Sequence, residues 1–424
     1  MTEKDESCVP STGAVISIQN QLLGWFRDHA LPLWDQHGVD RGSGGYFENI
    51  AVLGSHQQFE VSGDVRRGRV VARQIYVFDV ARQLGWRSKI SDPVAHGCEY
   101  LFSRLHLGDG LFHTAVDAST HEPRAPFSLY EQAFYLFALA RLNETARGRY
   151  PIAETAARCV QRLRHDLGKS IGGFEESNPP SLPLKSNPHM HLLEAALAWV
   201  DVTDGHMRQP WVELAQELVG LCLTRFIDAS GGAIREYFDY QWQPIAGDAG
   251  RIVEPGHQFE WAWLLMQWSG SPHSSPAERA ACIGAAHRLI EIGERWGVDP
   301  VRGVAINEIW DDMSVKDAAA KLWPQTERVK AWCAMLQRAQ SAAEAESACR
   351  SIARAAQGLL KYIRAEVPGL WHEECSPEGD FSIGPAKGSS FYHVVCAIDV
   401  LRKTVSAHLT SVLYSRGKVS GPCL

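Results

Sequence analysis

Much of what other protein classes require is missing from this sequence. No apolar run approaches the roughly 20 residues a membrane helix needs, and the opening MTEKDESCVP carries neither the basic nor the apolar stretch of a secretion signal. A soluble, cytoplasmic protein without a membrane partner is the expectation. Positive charge is not in excess: 42 Lys and Arg stand against 49 Asp and Glu, a net charge of -7. That balance excludes a general nucleic-acid or anionic-lipid surface, which needs dense positive charge. The ten cysteines are scattered with no Cys-x-x-Cys pair, so neither a zinc ribbon nor a redox dithiol is written here and reduced thiols are expected. There is no GxxxxGK[ST], and GPAKGSS at Gly384 lacks that spacing, which excludes a nucleotide phosphate loop. A G-x-S-x-G nucleophile elbow is absent too, as are a sustained heptad repeat and a Pro/Ser-rich linker.

What the 424 residues do contain is a repeat. Glycine followed by a few alternating apolar and polar residues appears as GSGGYFENI from Gly42, GDGLFHTAVD from Gly108, IGGFEES from Ile171, GGAIREYFDY from Gly231, RGVAINEIW from Arg302 and GLWHEECSPEGDF from Gly369. The spacing of about 60 to 70 residues is long enough for a short glycine-turned strand and two helices per unit. Each segment is followed by a markedly apolar helix: VVARQIYVFDVARQL, SLYEQAFYLFALARL, NPHMHLLEAALAWV, GHQFEWAWLLMQW, PQTERVKAWCAML and SSFYHVVCAIDVL. Ser128 with Glu131 reads as a capping box, Asn187 with Pro188 as an N-cap and first helical position, and Pro324 and Ser390 as similar starts. A more amphipathic helix, such as PWVELAQELVGLCLTRF from Pro210, separates each from the next glycine segment. The economical way to bury such a set is an inner ring of helices wrapped by an outer one. The expected fold class is therefore all-α, an (α/α)6 barrel over residues 1–424, with short β segments in the loops at one end and residues 1–15 as a flexible tail.

If the inner helices all begin at the loop end, their first turns converge on one funnel, and ionisable residues there line a pocket. Those residues are Arg73, His191, His257, Glu260, Glu327 and His393. The three histidines are expected in equivalent places on three helices. His189 and His191 are two apart and point to different sides of a helix, so they make a poor chelating pair, and no metal site is expected. Acid/base chemistry remains. A histidine at a helix N-terminus feels the positive end of the dipole, which favours a neutral, proton-accepting ring. Glu260, three residues after His257, is placed to orient that ring, and Glu194 after His191 to cap or bridge helices. Trp310, Trp323 and Trp371 would put flat faces at the funnel mouth, as sugar sites need. Arg66, Arg67 and Arg69 read as a solvated helix start, with Arg73 facing the funnel.

In these motifs the sequence resembles the N-acylglucosamine 2-epimerase family, which also holds mannose and sulfoquinovose isomerases and cellobiose 2-epimerases. The resemblance runs from about Trp34 to about Lys403 and rests on ARQIYVF, NPHMHLLEA, PGHQFEWAWLL, LWPQTERVKAW and FYHVV. It implies an (α/α)6 barrel without metal or cofactor. His257 and His393 would be the acid/base pair, and Arg73, Asn187, His191, Glu260, Trp323, Glu327 and Trp371 would hold a sugar. The reaction implied is removal of the C2 proton of an open-chain aldose, giving an enediolate that is reprotonated at C2 or at C1. Arg69 replaces an aromatic residue of many relatives, and Val-Val-Cys after His393 replaces the Asn-Pro-Arg of cellobiose epimerases. A disaccharide is thereby disfavoured, while extra arginine permits an anionic sugar. A free hexose such as mannose is the expected substrate, with N-acylmannosamine interconversion as the alternative, and a homodimer is compatible with the reading. A glycoside hydrolase on the same barrel would instead use paired carboxylates, with Glu260, Glu308, Asp312 and Glu327 as candidates.

Overall fold

The computed structural model describes residues 11–53, 58–146 and 148–415. After α1 (Ser11–Trp25) and the short α2 (Leu31–Leu33) come α3 (Gly68–Gln83), α4 (Pro93–Tyr100), α5 (Leu129–Thr145), α6 (Ile152–Leu167), α7 (Ser186–Val202) and α8 (Gly205–Leu221). They are followed by α9 (Pro255–Gly270), α10 (Pro276–Trp296), α11 (Leu322–Arg338), α12 (Ala342–Ile363) and α13 (Gly388–Ser415). Helices α3, α5, α7, α9, α11 and α13 each pack on the next, and α13 packs back on α3, which closes the inner ring. Outside it, α4, α6, α8, α10 and α12 each lie against the inner helix that precedes them, and α1 completes the outer ring against α12 and α13. The (α/α)6 barrel read from the repeat is the fold observed.

Burial explains which helices go inside. On α9, Phe259, Trp261, Leu264, Leu265 and Trp268 are all buried, and only Gln267 and Gly270 near its C-terminal end are exposed. The outer α12 buries a single stripe and turns Glu344, Arg350 and Arg354 outward.

Five of the six glycine segments are tight hairpins. The antiparallel pairs Val39 with Tyr46, His106 with Phe112, Gly168 with Phe174, Ile227 with Ile234 and Val298 with Ala305 close five turns, and at the sixth Pro368 bridges Leu370 in parallel. Gly110 shows why glycine is needed: its φ is +99°, and a Cβ there would lie 2.8 Å from the backbone nitrogen of Cys159. Inner-helix side chains clamp four of these hairpins. Gln132 bonds both the N–H and the C=O of Phe112, Gln258 does so for Ile234 and Gln325 for Ala305, while His189 accepts from the N–H of Phe174.

Short strands stitch neighbouring units together. The residues leading into four inner helices pair with the strand after the next unit's glycine turn, 65–67 with 115–117, 184–185 with 237–238, 252–253 with 309–310, and 320–321 with 374–375, and α5 is tied by the Leu129 N–H to the Glu176 carbonyl of the next unit. Residues 386–387 pair with 49–50, so the last unit is sewn to the first. All six inner helices therefore start at the end of the barrel that carries the hairpins.

Several local expectations are corrected. Helix α1 begins at Ser11, so the expected tail is helical in its last residues, and residues 1–10 lie outside those described. Ser128 makes no side-chain cap; Glu131 turns instead to the backbone and guanidinium of Arg69. The capping box that forms is Ser275 with Glu278, on the outer α10. Asn187 lies inside α7, which begins at Ser186, and α11 and α13 begin before Pro324 and Ser390. Arg66 is not solvated: it is buried and ion-paired with Asp40 at 2.5 Å.

Candidate active site

The hairpin end of the inner ring encloses a cavity of about 290 Å³ lined by Arg73, Asn187, His191, His257, Glu260 and His393, with Tyr130, Glu254, Lys321, Trp323, Glu373, Glu374, Lys387, Ser389 and Ser390 around them. A larger cavity of about 700 Å³ opens at the opposite ends of the inner helices and touches none of the three imidazoles.

The hairpin clamps fix the register of the inner helices and so the depth of each functional side chain. Two residues beyond His189, Gln258 and Gln325 stand His191, Glu260 and Glu327. At the same level His393 of α13 lies close to both Glu260 and Glu327, their ligand atoms within 4.8 Å of one another. His257 comes three residues before Glu260, one turn nearer the mouth. The expected equivalence of three histidines thus holds for His191 and His393 and not for His257.

The two candidate proton carriers are held in opposite states. His393 Nδ1–H donates to Glu327 Oε1 at 2.9 Å. Burial pulls this ring down to about 4 despite the glutamate, and Arg73 pulls the same way, so His393 is neutral with Nε2 left as the bare nitrogen. His257 is equally buried, yet it is pushed up to about 10, because the carboxylates of Glu236 and Glu254 outweigh the cost of desolvation. Its Nδ1–H donates to Glu236 Oε2 at 2.8 Å, with Glu254 Oε2 at 3.7 Å. Asn187 Nδ2 is 3.3 Å from Nε2, a contact that two donors cannot share, so against an imidazolium the amide is turned to present Oδ1, which otherwise has no partner. The neutral ring expected from the helix dipole is therefore found at His393 and corrected at His257, where the Glu236 carboxylate at 2.8 Å, aided by Glu254, outweighs the half charge of the helix end. Glu236 also replaces Glu260 as the residue that orients His257.

Trp323 lies between the pair, its ring centroid 4.9 Å from that of His257 and 6.1 Å from that of His393. Arg73 reaches the cavity under Tyr130, with its guanidinium 4.1 Å from the centroid of Phe134 and bonded to the Ser389 carbonyl and the Tyr130 hydroxyl, each at 3.1 Å. His191 is lowered to about 4, again by burial first, and donates from Nδ1 to Glu194 Oε2 at 3.2 Å. Glu194 also accepts from Tyr392 Oη, which is the bridging role read for it. Glu327 does not line the cavity; it sits behind His393, kept ionised against burial by Lys330 and His393.

Trp371 is not brought to the cavity. It is buried behind α13, stacked on Trp34 with centroids 5.2 Å apart and also against Phe391. Trp310 lies outside as well, between Arg251 and Lys316. Of the carboxylates considered for glycoside cleavage, Glu308 pairs with Lys316 and Asp312 with Arg251, so only Glu260 faces the cavity.

Glu236 and Glu254 were not singled out from the sequence, although a signal exists for the first. In YFE, FEE, REY, INE and HEE the residue after each hairpin accepts from the backbone N–H leading into an inner helix: Glu48 from Arg67, Glu176 from Lys185, Glu236 from Glu254, Asn307 from Lys321 and Glu373 from Lys387. Glu236 is that structural acceptor, placed also to hold a histidine. Three sets of donors, His191–Glu194–Glu260, Glu236–Glu254–His257 and Glu260–Glu327–His393, are tight enough to surround a cation. Positive charge is already supplied there, by the ammonium of Lys330 against Glu327 and by the imidazolium of His257.

A neutral imidazole and an imidazolium facing one small polar cavity can take a proton at one place and give it at another, which is the equipment of a sugar isomerase or epimerase. A model of N-acylglucosamine 2-epimerase (GlcNAc 2-epimerase) matches residues 45–397, and the chain belongs to that family. A relative from Rhizobium meliloti (strain 1021) named mannose-6-phosphate isomerase is 44% identical over 389 residues, covering 89% of this chain and 95% of its own. Among solved structures, cellobiose 2-epimerase from Spirochaeta thermophila DSM 6192 superimposes with a TM-score of 0.77 at 21% identity over 94% of this chain and 98% of that one. A D-mannose isomerase does so with 0.76 at 16% identity, over 95% and 100%.

Proposed function

We propose that this enzyme moves a proton at C2 of an open-chain hexose, with mannose as the sugar, through an enediolate. The observation that carries the reading is the pair His257 and His393, which face one cavity on either side of Trp323 in opposite protonation states. His393 Nε2 takes the C2 proton. His257 Nε2–H donates toward the carbonyl oxygen, which gains negative charge as the enediolate forms. Return of the proton to C1 gives the ketose, and return to C2 from the opposite face gives the epimer. Arg73, Asn187 and His191 supply donors for the hydroxyls, and Trp323 supplies a flat face.

Three cationic side chains, Arg73, Lys321 and Lys387, line the cavity. Two exposed lysines at its rim favour a second reading, a hexose 6-phosphate, in keeping with the name of the relative from Rhizobium meliloti. Incubation with mannose, mannose 6-phosphate, N-acetylmannosamine and cellobiose in heavy water, followed by NMR, decides both sugar and outcome. Deuterium at C1 of a ketose or at C2 of an epimer is expected for one of the first two. If no free aldose, sugar phosphate or N-acyl hexosamine exchanges its C2 proton, the reading is wrong.

A further inference from the structure

Below the two histidines lies a polar cluster with an odd hydrogen-bond inventory. Three glutamates, Glu194, Glu260 and Glu327, share it with one ammonium, that of Lys330, and all four are buried. Glu327 is served by the Lys330 ammonium and by His393 Nδ1–H, and Glu194 by Tyr392 Oη–H and His191 Nδ1–H. Glu260 receives none of these donors. The nearest imidazole nitrogen, His191 Nδ1, is 3.8 Å from Glu260 Oε1 and is committed to Glu194 at 3.2 Å. Glu260 Oε1 is buried without a hydrogen-bond partner, although the residue is only 1% exposed and lines the cavity.

A carboxylate in that position would be a third negative charge among glutamates that share one ammonium, with no donor bonded to it, while the His257 imidazolium is held by Glu236. A carboxylic acid removes the charge and turns an acceptor without donors into a donor that needs an acceptor. The cavity that Glu260 lines offers that acceptor when a sugar occupies it. Resting on the isomerase reading above, we propose that Glu260 works as a neutral carboxylic acid that donates a hydrogen bond to the sugar oxygen on which the enediolate charge develops. No bond is made or broken at Glu260; its proton stays on the carboxyl while negative charge gathers on the oxygen it touches. Its surroundings hold it in that form. Burial, then Glu327 and Glu194, push its proton affinity well above the usual carboxylate range, against Lys330 and His257. The other titratable groups facing the cluster are His191 of α7, His393 and Tyr392 of α13, and Arg73 of α3.

The test compares Glu260→Gln with Glu260→Ala, since glutamine keeps a neutral donor of the same shape. Loss of one donor to a developing oxyanion typically costs about 10² to 10³ in turnover, so alanine should lose about that much while glutamine stays within about tenfold of the wild type. An infrared difference spectrum of the sugar-free proteins at neutral pH should show a protonated-carboxyl C=O band in the wild type that is absent from Glu260→Gln. The proposal is overturned if that band is missing, or if glutamine loses as much turnover as alanine in folded protein. Neither result depends on which sugar is used, and wild-type C2 exchange in heavy water reports separately on the isomerase reading.

Discussion

Glu236 grips Nδ1 of His257 at 2.8 Å from the bend just ahead of strand 237–238, while the same carboxyl accepts from the Glu254 N–H that leads into α9. One side chain thus sets both the first turn of α9 and the charge of the ring upon it. Replacing Glu236 by glutamine keeps an acceptor in place and removes the charge. The ring's proton affinity should fall, so the alkaline limb of the pH–rate profile should move to lower pH, with less change on the acid side. Stability should follow the same sign. A histidine raised to about 10 stabilises the folded protein fully below its unfolded value near 6.5, and that contribution is lost as the pH rises through about 10. The difference in melting temperature between wild type and Glu236→Gln should therefore shrink as the pH is raised, and a constant difference would show that the charge is not what Glu236 contributes.

Trp371 and Trp323 should separate cleanly. Trp371 is buried against Trp34 and Phe391, so alanine there should cost about 3 to 5 kcal/mol of stability and leave kcat/KM per folded molecule near normal. Trp323 lines the cavity between the two histidines, so Trp323→Ala should lower kcat/KM by more than tenfold with a smaller loss of stability. Denaturant titration beside steady-state kinetics checks both, and a kinetic defect in folded Trp371→Ala would return that residue to the site.

The contrast shows what is legible in a sequence of this kind. The ring was readable because its signals are local and repeat: a glycine turn, an apolar helix, an amphipathic helix. His191, Glu260, Glu327 and His393 were readable because an ionisable residue on an apolar helix breaks the pattern that surrounds it. Trp371 follows a glycine turn like any other in the repeat, but its stacking partner Trp34 comes from the opposite end of the chain, and no local pattern announces that closure. Glu254 is hidden for the opposite reason: glutamate before a helix is commonplace, and only folding sets it 3.7 Å from an imidazole. The charge of His257 was misjudged because the helix dipole can be read along the chain and the Glu236 carboxylate cannot.

Lys321 and Lys387 are exposed at the cavity rim, which makes their effect specific to the substrate's charge. The double replacement Lys321→Ala with Lys387→Ala should raise KM for mannose 6-phosphate at low salt by about tenfold or more and leave mannose nearly unaffected, with the gap narrowing as salt screens the charges. Equal effects on both sugars would mean that the lysines do not read a phosphate.

The central claim is that His393 takes the C2 proton while His257, charged, assists from the other side of Trp323. The most direct measurement is the rate of C2-proton exchange in heavy water for wild type, His393→Ala and His257→Asn, each normalised to protein shown to be folded by its melting transition. Positioned proton transfer supplies about 10² to 10⁴ in rate, and each variant should lose at least the lower figure. Exchange at the wild-type rate by folded His393→Ala would contradict the account.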